Sequence, residues 1–402
     1  MKRVFLSMLA MITLLASCSD DDDNGGTTNP DPQKDGIIAS QDDPDLDPTD
    51  LKGRVTANVT INAAQEWILN GPLEVEDGVT LTIEAGTTIK ANAGGTNVYI
   101  ATKQGGRLVA DGTATAPIRI TSNASNPRAG DWGGLLLIGR APISGGGTST
   151  TEVLPLQYGG TVANDDSGIL DYVILEYTGA RINGEKEFNG LTLYGVGSGT
   201  TISNIAVLYG DDDTIEFFGG TVSVDNALMV NARDDMFDWT QGWTGSGSNW
   251  YGLRTEDFTA ISEDPRGIEG DGNLDGNSPA DSGQSNPTIE NITLINAGII
   301  DMADMIKIRR GSGASITGAY VAMANADASA SDLVDLRDTK GCAIPSLTLV
   351  GTASDANGLD IADIKNLTEA DCGTTDTATI TITAGTTPSV DVSIFAWTGF
   401  SF

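Results

Sequence analysis

Acidic residues occupy matching positions in two consecutive repeats of this chain. The stretch from Asn204 to Phe217 aligns with the stretch from Asn226 to Trp239 at a constant offset of 22 residues. A period in the low twenties, rich in β-branched residues, glycine and asparagine, is typical of a β-solenoid in which each period forms one coil. Equivalent residues of consecutive coils then stack about 4.8 Å apart. The repeat therefore predicts a ladder of carboxylates, in which Asp212, Asp213 and Glu216 stack with Asp234, Asp235 and Asp238.

Repulsion within this ladder calls for a compensating charge. At about 5 Å, each pair of like charges costs on the order of 1 kcal/mol or more unless something neutralises it. Raised pKa values, an arginine such as Arg233 or a cation would each relieve the repulsion, and Ca²⁺ suits a cluster of hard oxygen ligands. All six carboxylates are therefore candidate calcium ligands. The alternative is a solvated acidic face whose corner aspartates cap backbone N–H groups, and the sequence leaves both interpretations open.

Alternation along the strand that follows each acidic pair predicts which side chains are buried. Ile215 and Phe217 share one parity and should enter the core, as should their equivalents in the second repeat, whereas Glu216 should point outward with Asp238. Asparagines also recur in register, each ahead of a strand, at Asn204, Asn226 and Asn291. We expect them to form a structural ladder that satisfies polar groups in the turns.

Aromatic residues follow the carboxylates in a segment rich in glycine and serine. Its candidate ligand-binding residues are Trp243, Trp250, Tyr251 and Arg254. Exposed aromatic faces hold sugar rings and other flat apolar surfaces, and an arginine can bind a carboxylate. Because a segment rich in glycine and serine is typical of a loop, we expect Trp243 and Trp250 to be exposed. The alternative is that these aromatic residues pack on the flank of the solenoid.

The overall composition excludes several classes of function. The chain of 402 residues has a formal net charge of −33, so nucleic acid and anionic membrane are poor partners. It contains no histidine, which excludes Ser-His-Asp and Cys-His catalysis, histidine-ligated zinc and histidine pH switches. A hydrophobic content of 39% is sufficient for a substantial core.

The N-terminal residues predict export and lipidation. Lys2 and Arg3 precede an apolar stretch that is too short to span a bilayer, which is typical of a signal peptide over residues 1–17. Leu15-Ala-Ser-Cys18 resembles a bacterial lipobox, so Cys18 is the expected lipidation site. Residues 18–50 read as an acidic flexible tether. The run Asp20–Asp23 resembles a surface-export signal of Bacteroidota lipoproteins, and together these features predict an outer-membrane anchor with the protein exposed at the cell surface.

The other two cysteines are expected to pair. Cys342 and Cys372 remain after Cys18 is assigned to the lipid. In an oxidising compartment an even pair favours a disulfide bond. Two separate buried thiols are the alternative.

Short strands separated by turns dominate the rest of the chain, and no long amphipathic helix interrupts them, which disfavours Rossmann and TIM folds. We predict an all-β solenoid with about 22 residues per coil, forming one domain over residues 51–402. Residues 144–167 and 255–287 read as loop excursions from its wall. Residues 352–402 are expected to form a small capping subdomain.

Three segments resemble a family of secreted bacterial lipoproteins that is common in Bacteroidota. They are Gly78-Val-Thr-Leu-Thr-Ile-Glu-Ala-Gly-Thr-Thr-Ile-Lys90, Gly130-Asp-Trp-Gly-Gly-Leu-Leu-Leu-Ile-Gly-Arg-Ala-Pro-Ile143 and Asp211-Asp-Asp-Thr-Ile-Glu-Phe-Phe-Gly-Gly220. The resemblance covers most of residues 53–350 and implies a right-handed parallel β-helix in an exported protein. It carries over no established activity and no catalytic residue.

Basic residues keep an enzymatic interpretation open. Lys307 and Arg309 lie on a strand equivalent to the acidic one. Polysaccharide lyases with parallel β-helices use arginine or lysine as the proton-abstracting base while Ca²⁺ holds the uronate carboxylate. These two residues are therefore the candidate catalytic bases. The alternative is that they neutralise the acidic ladder.

The sequence favours a binding or display role at the outer membrane surface over catalysis. A specific version is glycan capture, or service as an accessory to an outer-membrane transporter. A calcium-dependent lyase acting on uronate-containing glycans is the first alternative, and a purely structural surface protein is the second. A groove that pairs the carboxylates with a free arginine or lysine would favour the lyase.

Overall fold

Parallel pairing between strands one coil apart organises the molecule. A computed structural model describes residues 34–183, 186–354 and 356–402. Lys34–Phe402 forms one unit, in which 25 strands make a single sheet and two strands make a small antiparallel hairpin. The strands are β1 Ile37–Ile38, β2 Leu51–Val55, β3 Val59–Ile61, β4 Trp67–Val75, β5 Thr80–Ile83, β6 Thr88–Ala91, β7 Ile100–Thr102, β8 Arg107–Asp111, β9 Ile118–Ser122, β10 Leu135–Ile138, β11 Ser149–Thr150, β12 Gln157–Tyr158, β13 Gly168–Glu176, β14 Leu191–Tyr194, β15 Thr201–Leu208, β16 Ile215–Phe218, β17 Ser223–Val230, β18 Phe237–Thr240, β19 Ser246–Arg254, β20 Arg266–Asp271, β21 Thr288–Asn296, β22 Met302–Arg309, β23 Ser315–Met323, β24 Ala330–Asp335, β25 Thr348–Ala353, β26 Ile364–Lys365 and β27 Thr379–Ala384.

Two kinds of strand alternate along the chain. One series, which we call the first face, stacks in the order β10, β14, β16, β18, β20, β22, β24 and β26. The other series, which we call the long strands, stacks in the order β13, β15, β17, β19, β21 and β23. Since these neighbours are parallel and lie one coil apart, the predicted all-β solenoid is confirmed as a parallel β-helix.

A ladder of asparagines bends the long strands. Asn204, Asn226, Asn249 and Asn291 all have left-handed φ angles, between 46° and 59°, a conformation that asparagine tolerates better than most residues. The amide of Asn226 donates to Oδ1 of Asn204 at 3.1 Å, and the amide of Asn249 donates to Oδ1 of Asn226 at 2.9 Å. Asn291 continues the series at 3.4 Å. The structural ladder is confirmed, with Asn249 as a further member and with the amides bonding one another.

The predicted parity of the acidic strands is also confirmed. Ile215 and Phe217 are fully buried in the main hydrophobic core, as are Phe237 and Trp239. Glu216 alternates with them and lies outside that core. Equivalent positions in β16 and β18 pair directly, with Glu216 opposite Asp238. The first face therefore presents its acidic side chains away from the solenoid interior.

Two expected boundaries differ in the structure. The tether was expected to reach residue 50, but β1 pairs with β2, and Ile38 is fully buried. Residues 34–50 thus belong to the folded unit. The expected loop excursion over residues 255–287 contains β20, which pairs with both β18 and β22. That segment therefore contributes a strand to the first face.

The C-terminal segment packs on the side of the solenoid. Strand β27 continues the main sheet by pairing with β25, so it is part of the same β-helix. Beyond it, Phe395 is fully buried in a second cluster with Ile174, Leu228 and Tyr251. These core contacts lie on β13, β17 and β19, within four consecutive coils. The segment therefore covers the flank of the solenoid, and the expected capping subdomain over residues 352–402 is not the arrangement found.

Helices contribute little to the fold. Helix α1 spans Glu369–Cys372, and two 3₁₀ helices span Leu274–Gly276 and Val392–Thr398. Within the described residues, no helix is long and apolar enough to cross a membrane. Cys372, the last residue of α1, forms a disulfide bond with Cys342. The predicted pairing of these two cysteines is confirmed.

Candidate functional site

A polar row runs along the outside of the first face. Pairing between neighbouring strands aligns one outward residue from each coil. In chain order the row is Thr192, Glu216, Asp238, Glu269, Lys307 and Asp335. We call it the carboxylate row. Its residues come from β14, β16, β18, β20, β22 and β24, so the regular stacking of the solenoid places them side by side.

A corner precedes each of these strands and adds further carboxylates. Asp213 accepts the backbone N–H of Asp235 at 2.8 Å, and Asp235 accepts the backbone N–H of Arg266 at 2.6 Å. The interpretation that corner aspartates cap backbone N–H groups is thus confirmed for Asp213 and Asp235. Asp234 makes a different bond, accepting the hydroxyl of Ser262. Asp213 and Asp235 are buried, at 7% and 2% exposed, so they are not part of the solvated acidic face in that interpretation.

Carboxylates from both sets converge on three points. Ligand atoms lie within 4.8 Å of one another in the groups Asp212–Asp213–Asp234, Asp213–Glu216–Asp238 and Asp235–Asp238–Glu269. The groups overlap, because Asp213 belongs to the first two and Asp238 to the last two. The structure therefore brings together all six residues that the sequence predicted to be close, and it adds Glu269.

Basic side chains neutralise only part of this assembly. Arg266 lies 3.1 Å from Glu269 and 3.9 Å from Asp235. Arg309 contacts Glu269 and lies 2.9 Å from Asp271. The end of the row that contains Glu269 is therefore compensated by two arginines.

The other end has no such partner. Within the described residues, no lysine or arginine forms an ion pair with Asp212, Asp213, Glu216, Asp234 or Asp238, and we call these five residues the unpaired carboxylates. The nearby arginines Arg181 and Arg233 instead contact Asp211, at 2.8 Å and 3.8 Å. Burial of uncompensated carboxylates is costly unless a proton or a cation balances the charge.

Several buried oxygen atoms beside the unpaired carboxylates also lack a hydrogen-bond donor. Asn189 donates its amide to Glu216, while its own Oδ1 atom has no partner. The hydroxyl of Thr192 and the Oδ1 atom of Asp238 are likewise buried without a partner. Asn189 is only 2% exposed and Thr192 only 1%. Because an oxygen atom that accepts nothing can coordinate a metal ion, this set fits a hard cation.

The electrostatics of the site follow from burial and crowding. Burial, followed by repulsion from Asp212 and Asp235, raises the pKa of Asp213 well above its usual range. Burial and the carboxylate of Asp238 have the same effect on the pKa of Glu216. The pKa of Glu269 rises less, to about 7, because Arg266 and Arg309 oppose the effect of its burial. Uncompensated repulsion is therefore greater among the unpaired carboxylates than at Glu269.

A cavity of about 560 Å³ is lined in part by Phe218, which follows Glu216 on β16. The hairpin of β11 and β12 and the segment around Asp275 contribute to its wall, with Glu152, Tyr158 and Phe218 among the lining residues. Burial, followed by repulsion from Glu187 and Asp275, raises the pKa of Glu152 to about 7. Glu152 is also among the charges that raise the pKa of Glu216. None of the unpaired carboxylates lines this cavity, whose charged lining residues are Glu152, Asp275 and Lys186. Its connection to the row is the repulsion between Glu152 and Glu216.

The candidate catalytic bases are both engaged in ion pairs. Nζ of Lys307 lies 2.6 Å from Asp335, and the Lys307 side chain is only 11% exposed. Arg309 contacts Glu269, Asp271 and Asp338. Neither side chain is available as an unpaired base, so the pairing that would favour a lyase is not formed by Lys307 or Arg309. The alternative was that they neutralise the acidic ladder, but within the described residues neither forms an ion pair with any of its six predicted members.

The expected exposure of the aromatic segment is wrong. Trp243 and Trp250 are fully buried, and their indole N–H groups donate to the backbone oxygens of Val222 and Val224, both at 2.9 Å. Their rings stack on Phe217 and Phe237 inside the solenoid. A Cβ atom on Gly247 would lie 2.4 Å from the Trp250 ring. The glycines that suggested a loop therefore make room for large rings in the core.

Tyr251 and Arg254 are also unavailable to a ligand. Tyr251 is 5% exposed and lies against Phe395 and Phe402 on the flank, as the alternative interpretation expected. Arg254 is 1% exposed and donates to the backbone oxygens of Ala232 and Asp234. Burial lowers the pKa of Arg254 to about 10. Its role is to hold the corner that carries the acidic pair of the second repeat.

Sequence reasoning missed a residue of the carboxylate row and two charged residues on the same strand. Glu269, Asp271 and Arg266 lie on β20, inside the glycine- and aspartate-rich stretch that was predicted to be a loop. Arg266 follows its partner Asp235 by 31 residues, whereas Asp235 follows Asp213 by 22. The longer offset shows that residues are inserted in this coil, and the insertion hides the repeat. The apolar Ile268 between outward polar residues is nevertheless a pattern that indicates a strand.

Several sequence predictions fall on residues outside those that the structure describes. These are the signal peptide over residues 1–17, the lipidation site Cys18, the acidic run Asp20–Asp23 and the tether up to residue 33. They stay predictions.

Comparison with known proteins gives a family for the chain. No curated protein and no solved structure matches it significantly. The family model described as a pectate-lyase-like β-helix domain matches residues 53–398. The matched region includes the carboxylate row, the asparagine ladder and the disulfide bond. The chain therefore belongs to the family of pectate-lyase-like β-helix domains.

Proposed function

We propose that this chain is a cation-dependent binding protein of the cell surface, which captures acidic polysaccharide through Ca²⁺ held by the unpaired carboxylates. The observation that carries the proposal is that arginines compensate the carboxylates at one end of the site and not those at the other. One end is balanced by Arg266 and Arg309, while Asp212, Asp213, Glu216, Asp234 and Asp238 have no cationic partner among the described residues. A purely structural acidic ladder would need compensation at both ends.

The chemistry of the available atoms favours calcium. The converging ligand atoms are carboxylate oxygens, joined by the unpartnered oxygens of Asn189 and Thr192. Hard oxygen donors without imidazole or thiolate suit Ca²⁺ better than zinc or copper. Calcium takes 6–8 oxygen ligands, and each group supplies three carboxylates. The remaining positions are filled by water, by neighbouring oxygens or by the carboxylates of a bound ligand.

Two observations support a polysaccharide as the ligand. The family is pectate-lyase-like, which is compatible with a polysaccharide-related role. The cavity of about 560 Å³ is lined by Glu152, which lies near enough to Glu216 to raise its pKa, so we expect a chain with carboxylate groups that enters the cavity to reach cations held nearby. Without cations the net charge of −33 would repel such a polymer. Binding should therefore depend strictly on the divalent ion.

Binding is favoured over eliminative cleavage because the candidate bases are paired. Proton abstraction needs a basic group that is unprotonated and within reach of the substrate. Neighbouring carboxylates, notably Glu269 and Asp271, raise the pKa of Arg309, and Lys307 is held by Asp335. The predicted signal peptide and Cys18 place this binding function at the outer membrane, which is the localisation that we propose.

A sedimentation assay with insoluble polysaccharide tests the proposal. The purified mature protein is mixed with polygalacturonate gel, alginate gel or neutral cellulose, in millimolar Ca²⁺ or in excess chelator. We expect retention on the acidic gels only with Ca²⁺, and loss of retention in the double variant Asp212→Asn with Asp234→Asn. Asp225→Asn, at an exposed position on another face, is the matched control and should bind normally. Equal retention in chelator would refute the proposal, whereas release of unsaturated uronates into solution would favour the lyase.

A further inference from the structure

A second cavity lies on the flank of the solenoid and is separate from the carboxylate row. Its volume is about 600 Å³, and Tyr209, Leu253, Asp257, Phe400 and Phe402 are among the lining residues. A smaller cavity of about 310 Å³ continues from it, since Tyr209 and Phe400 line both. Neither cavity is lined by any of the unpaired carboxylates. The two form one groove, which we call the flank groove.

A stack of tyrosines ends in the flank groove. The rings of Tyr177 and Tyr209 are 5.2 Å apart and nearly parallel, with an interplanar angle of 16°. Backbone bonds place Tyr177, Tyr209 and Asn231 at equivalent positions of consecutive coils, because their N–H groups donate to Leu208, Val230 and Leu253. All three have left-handed φ angles, between 58° and 64°. The third position carries an amide and no ring, so the stack stops at Tyr209.

The cavity opens where a third ring would continue the stack. Tyr209 and Asn231 both line it. The Asn231 side chain is already satisfied, since its Oδ1 accepts the N–H of Thr255 at 2.8 Å and its amide donates to the hydroxyl of Thr255. Asn231 therefore forms a floor below the space. A flat apolar face of a ligand can take the place of the missing ring against Tyr209.

The C-terminal segment forms the opposite wall. The N–H group of Val390 donates to the hydroxyl of Thr293, and the backbone oxygen of Thr398 accepts a bond from Arg119. Phe395 is fully buried between these attachments. The segment is thus anchored on both sides of Phe395, and it presents Phe400 half-buried and Phe402 48% exposed. A ring entering the groove would have aromatic groups on both sides.

The polar groups of the larger cavity select against anions. Glu256 and Asp257 line it, whereas Glu176 in the smaller cavity is ion-paired with Arg119, which also lines that cavity. Glu256 and Asp257 are exposed and form no ion pair within the described residues. Carboxylates accept hydrogen bonds and donate none at neutral pH, so they suit a ligand that carries many hydroxyl donors. An acidic sugar would meet repulsion here.

We propose that the flank groove is a binding site for neutral sugar residues, in which one pyranose ring stacks on Tyr209 and its hydroxyl groups donate to Asp257 and Glu256. A pyranose has both a flat face of C–H groups and a rim of hydroxyl groups. It therefore matches an aromatic wall beside carboxylate acceptors. This site is independent of the cations and of the acidic polysaccharide bound at the carboxylate row.

Titration calorimetry with neutral oligosaccharides tests the proposal. The probes are the hexasaccharides of β-linked glucose, mannose, xylose and galactose, each titrated into the purified mature protein. At least one should bind, with the same affinity in Ca²⁺ and in chelator. Tyr209→Ala should weaken that binding about tenfold, the factor that corresponds to about 1.4 kcal/mol, and Tyr209→Phe should keep it because the ring remains.

Tyr177→Ala is the matched control. It removes the same ring from the same stack, but Tyr177 does not line either cavity, so the affinity should change less than the tenfold loss expected for Tyr209→Ala. A general loss of folding would lower the melting temperature and the affinity of both variants together. The proposal is overturned if none of the four probes binds, or if Tyr209→Ala binds as tightly as Tyr177→Ala. The double variant Asp212→Asn with Asp234→Asn should bind the probe normally, which separates this site from the proposed calcium function.

Discussion

Asp213 accepts the backbone N–H of Asp235 at 2.8 Å, so the carboxylate of one coil holds the corner of the next. Asp235 does the same for Arg266. Asp212 and Asp234 precede these residues, and among the described residues neither accepts a backbone N–H. Adjacent aspartates in each pair therefore differ in function: the second supports the corner, while the first adds charge to the site. This difference allows the structural and cation-binding contributions to be tested separately.

The first prediction concerns calcium and the two aspartates that do not cap backbone groups. Calcium should raise the melting temperature of the wild-type protein, because an ion that binds only the folded state stabilises it by about 2.7 kcal/mol at a hundredfold excess over its dissociation constant. Asp212→Asn with Asp234→Asn should abolish this response and should stabilise the metal-free protein, since two repelling charges are removed. Thermal unfolding in millimolar Ca²⁺ and in excess chelator measures both effects. Identical wild-type curves would exclude the calcium site.

The second prediction concerns the cap made by Asp213. Asp213→Ala removes the acceptor of a buried N–H group, which costs about 1–3 kcal/mol when the group is left unsatisfied. Asp213→Asn keeps an oxygen at the same place and removes the charge, so in chelator it should be at least as stable as the wild type. Urea unfolding in chelator compares the two. If Ala and Asn destabilise equally, the hydrogen bond to Asp235 is not the contribution that matters.

Regular repetition determined how much of this molecule could be predicted. Asp212 and Asp234 were found because their coils have the same length, and Asn204 and Asn226 for the same reason. Strand β20 was missed because an insertion separates Arg266 from Asp235 by 31 residues. Without a constant offset, a short strand that contains two glycines and two acids looks like a loop.

Burial of the aromatic residues was unpredictable for a different reason. Glycine near Trp250 suggested a flexible loop. In the structure, the indole ring of Trp250 occupies the space where a side chain at position 247 would lie, so only glycine fits at Gly247.

The position of the C-terminal segment could not be predicted from the sequence either. Leu208 and Leu228 lie under Phe395 in one cluster, yet local alternation does not reveal which distant segment covers an outward apolar side chain.

The third prediction concerns the disulfide bond. Cys342 and Cys372 are 30 residues apart, so closing this loop should stabilise the folded protein by about 3.6 kcal/mol in the chain-entropy model. The double variant Cys342→Ser with Cys372→Ser should lower the free energy of unfolding by about that amount. The unpaired carboxylates lie on or just before β16 and β18, away from the disulfide bond, and calcium binding should therefore be retained. Titration of the unfolded, unreduced wild-type protein should detect no free thiol at these positions.

The fourth prediction concerns the membrane anchor. Cys18→Ala should prevent labelling by a palmitate analogue and release the protein from the membrane fraction, because the lipidated cysteine is the expected attachment. Replacing Asp20 to Asp23 by alanine should keep the lipid but reduce exposure at the cell surface, as judged by digestion of intact cells with protease. Membrane retention of an unlabelled Cys18→Ala protein would show that the lipobox interpretation is wrong.

The fifth prediction concerns pH, and its sign follows from the raised pKa values. Burial raises the pKa of Asp213 and Glu216 well above the usual range, and that of Glu152 to about 7. These groups hold protons in the folded state that the unfolded chain has lost, so their contribution to stability is complete below about pH 4 and falls as pH rises through the folded-state values. In chelator, the free energy of unfolding should therefore decrease between about pH 5 and pH 7.5, with each group contributing at most about 1.4 kcal/mol per pH unit.

Calcium competes with these protons and should stabilise the protein more at pH 7.5 than at pH 5. Urea unfolding at both pH values, with and without calcium, measures the four free energies, and Asp212→Asn with Asp234→Asn should show a shallower decrease. A metal-free protein that becomes more stable towards neutral pH would contradict the uncompensated burial of these carboxylates, since only paired or solvated acids give that sign.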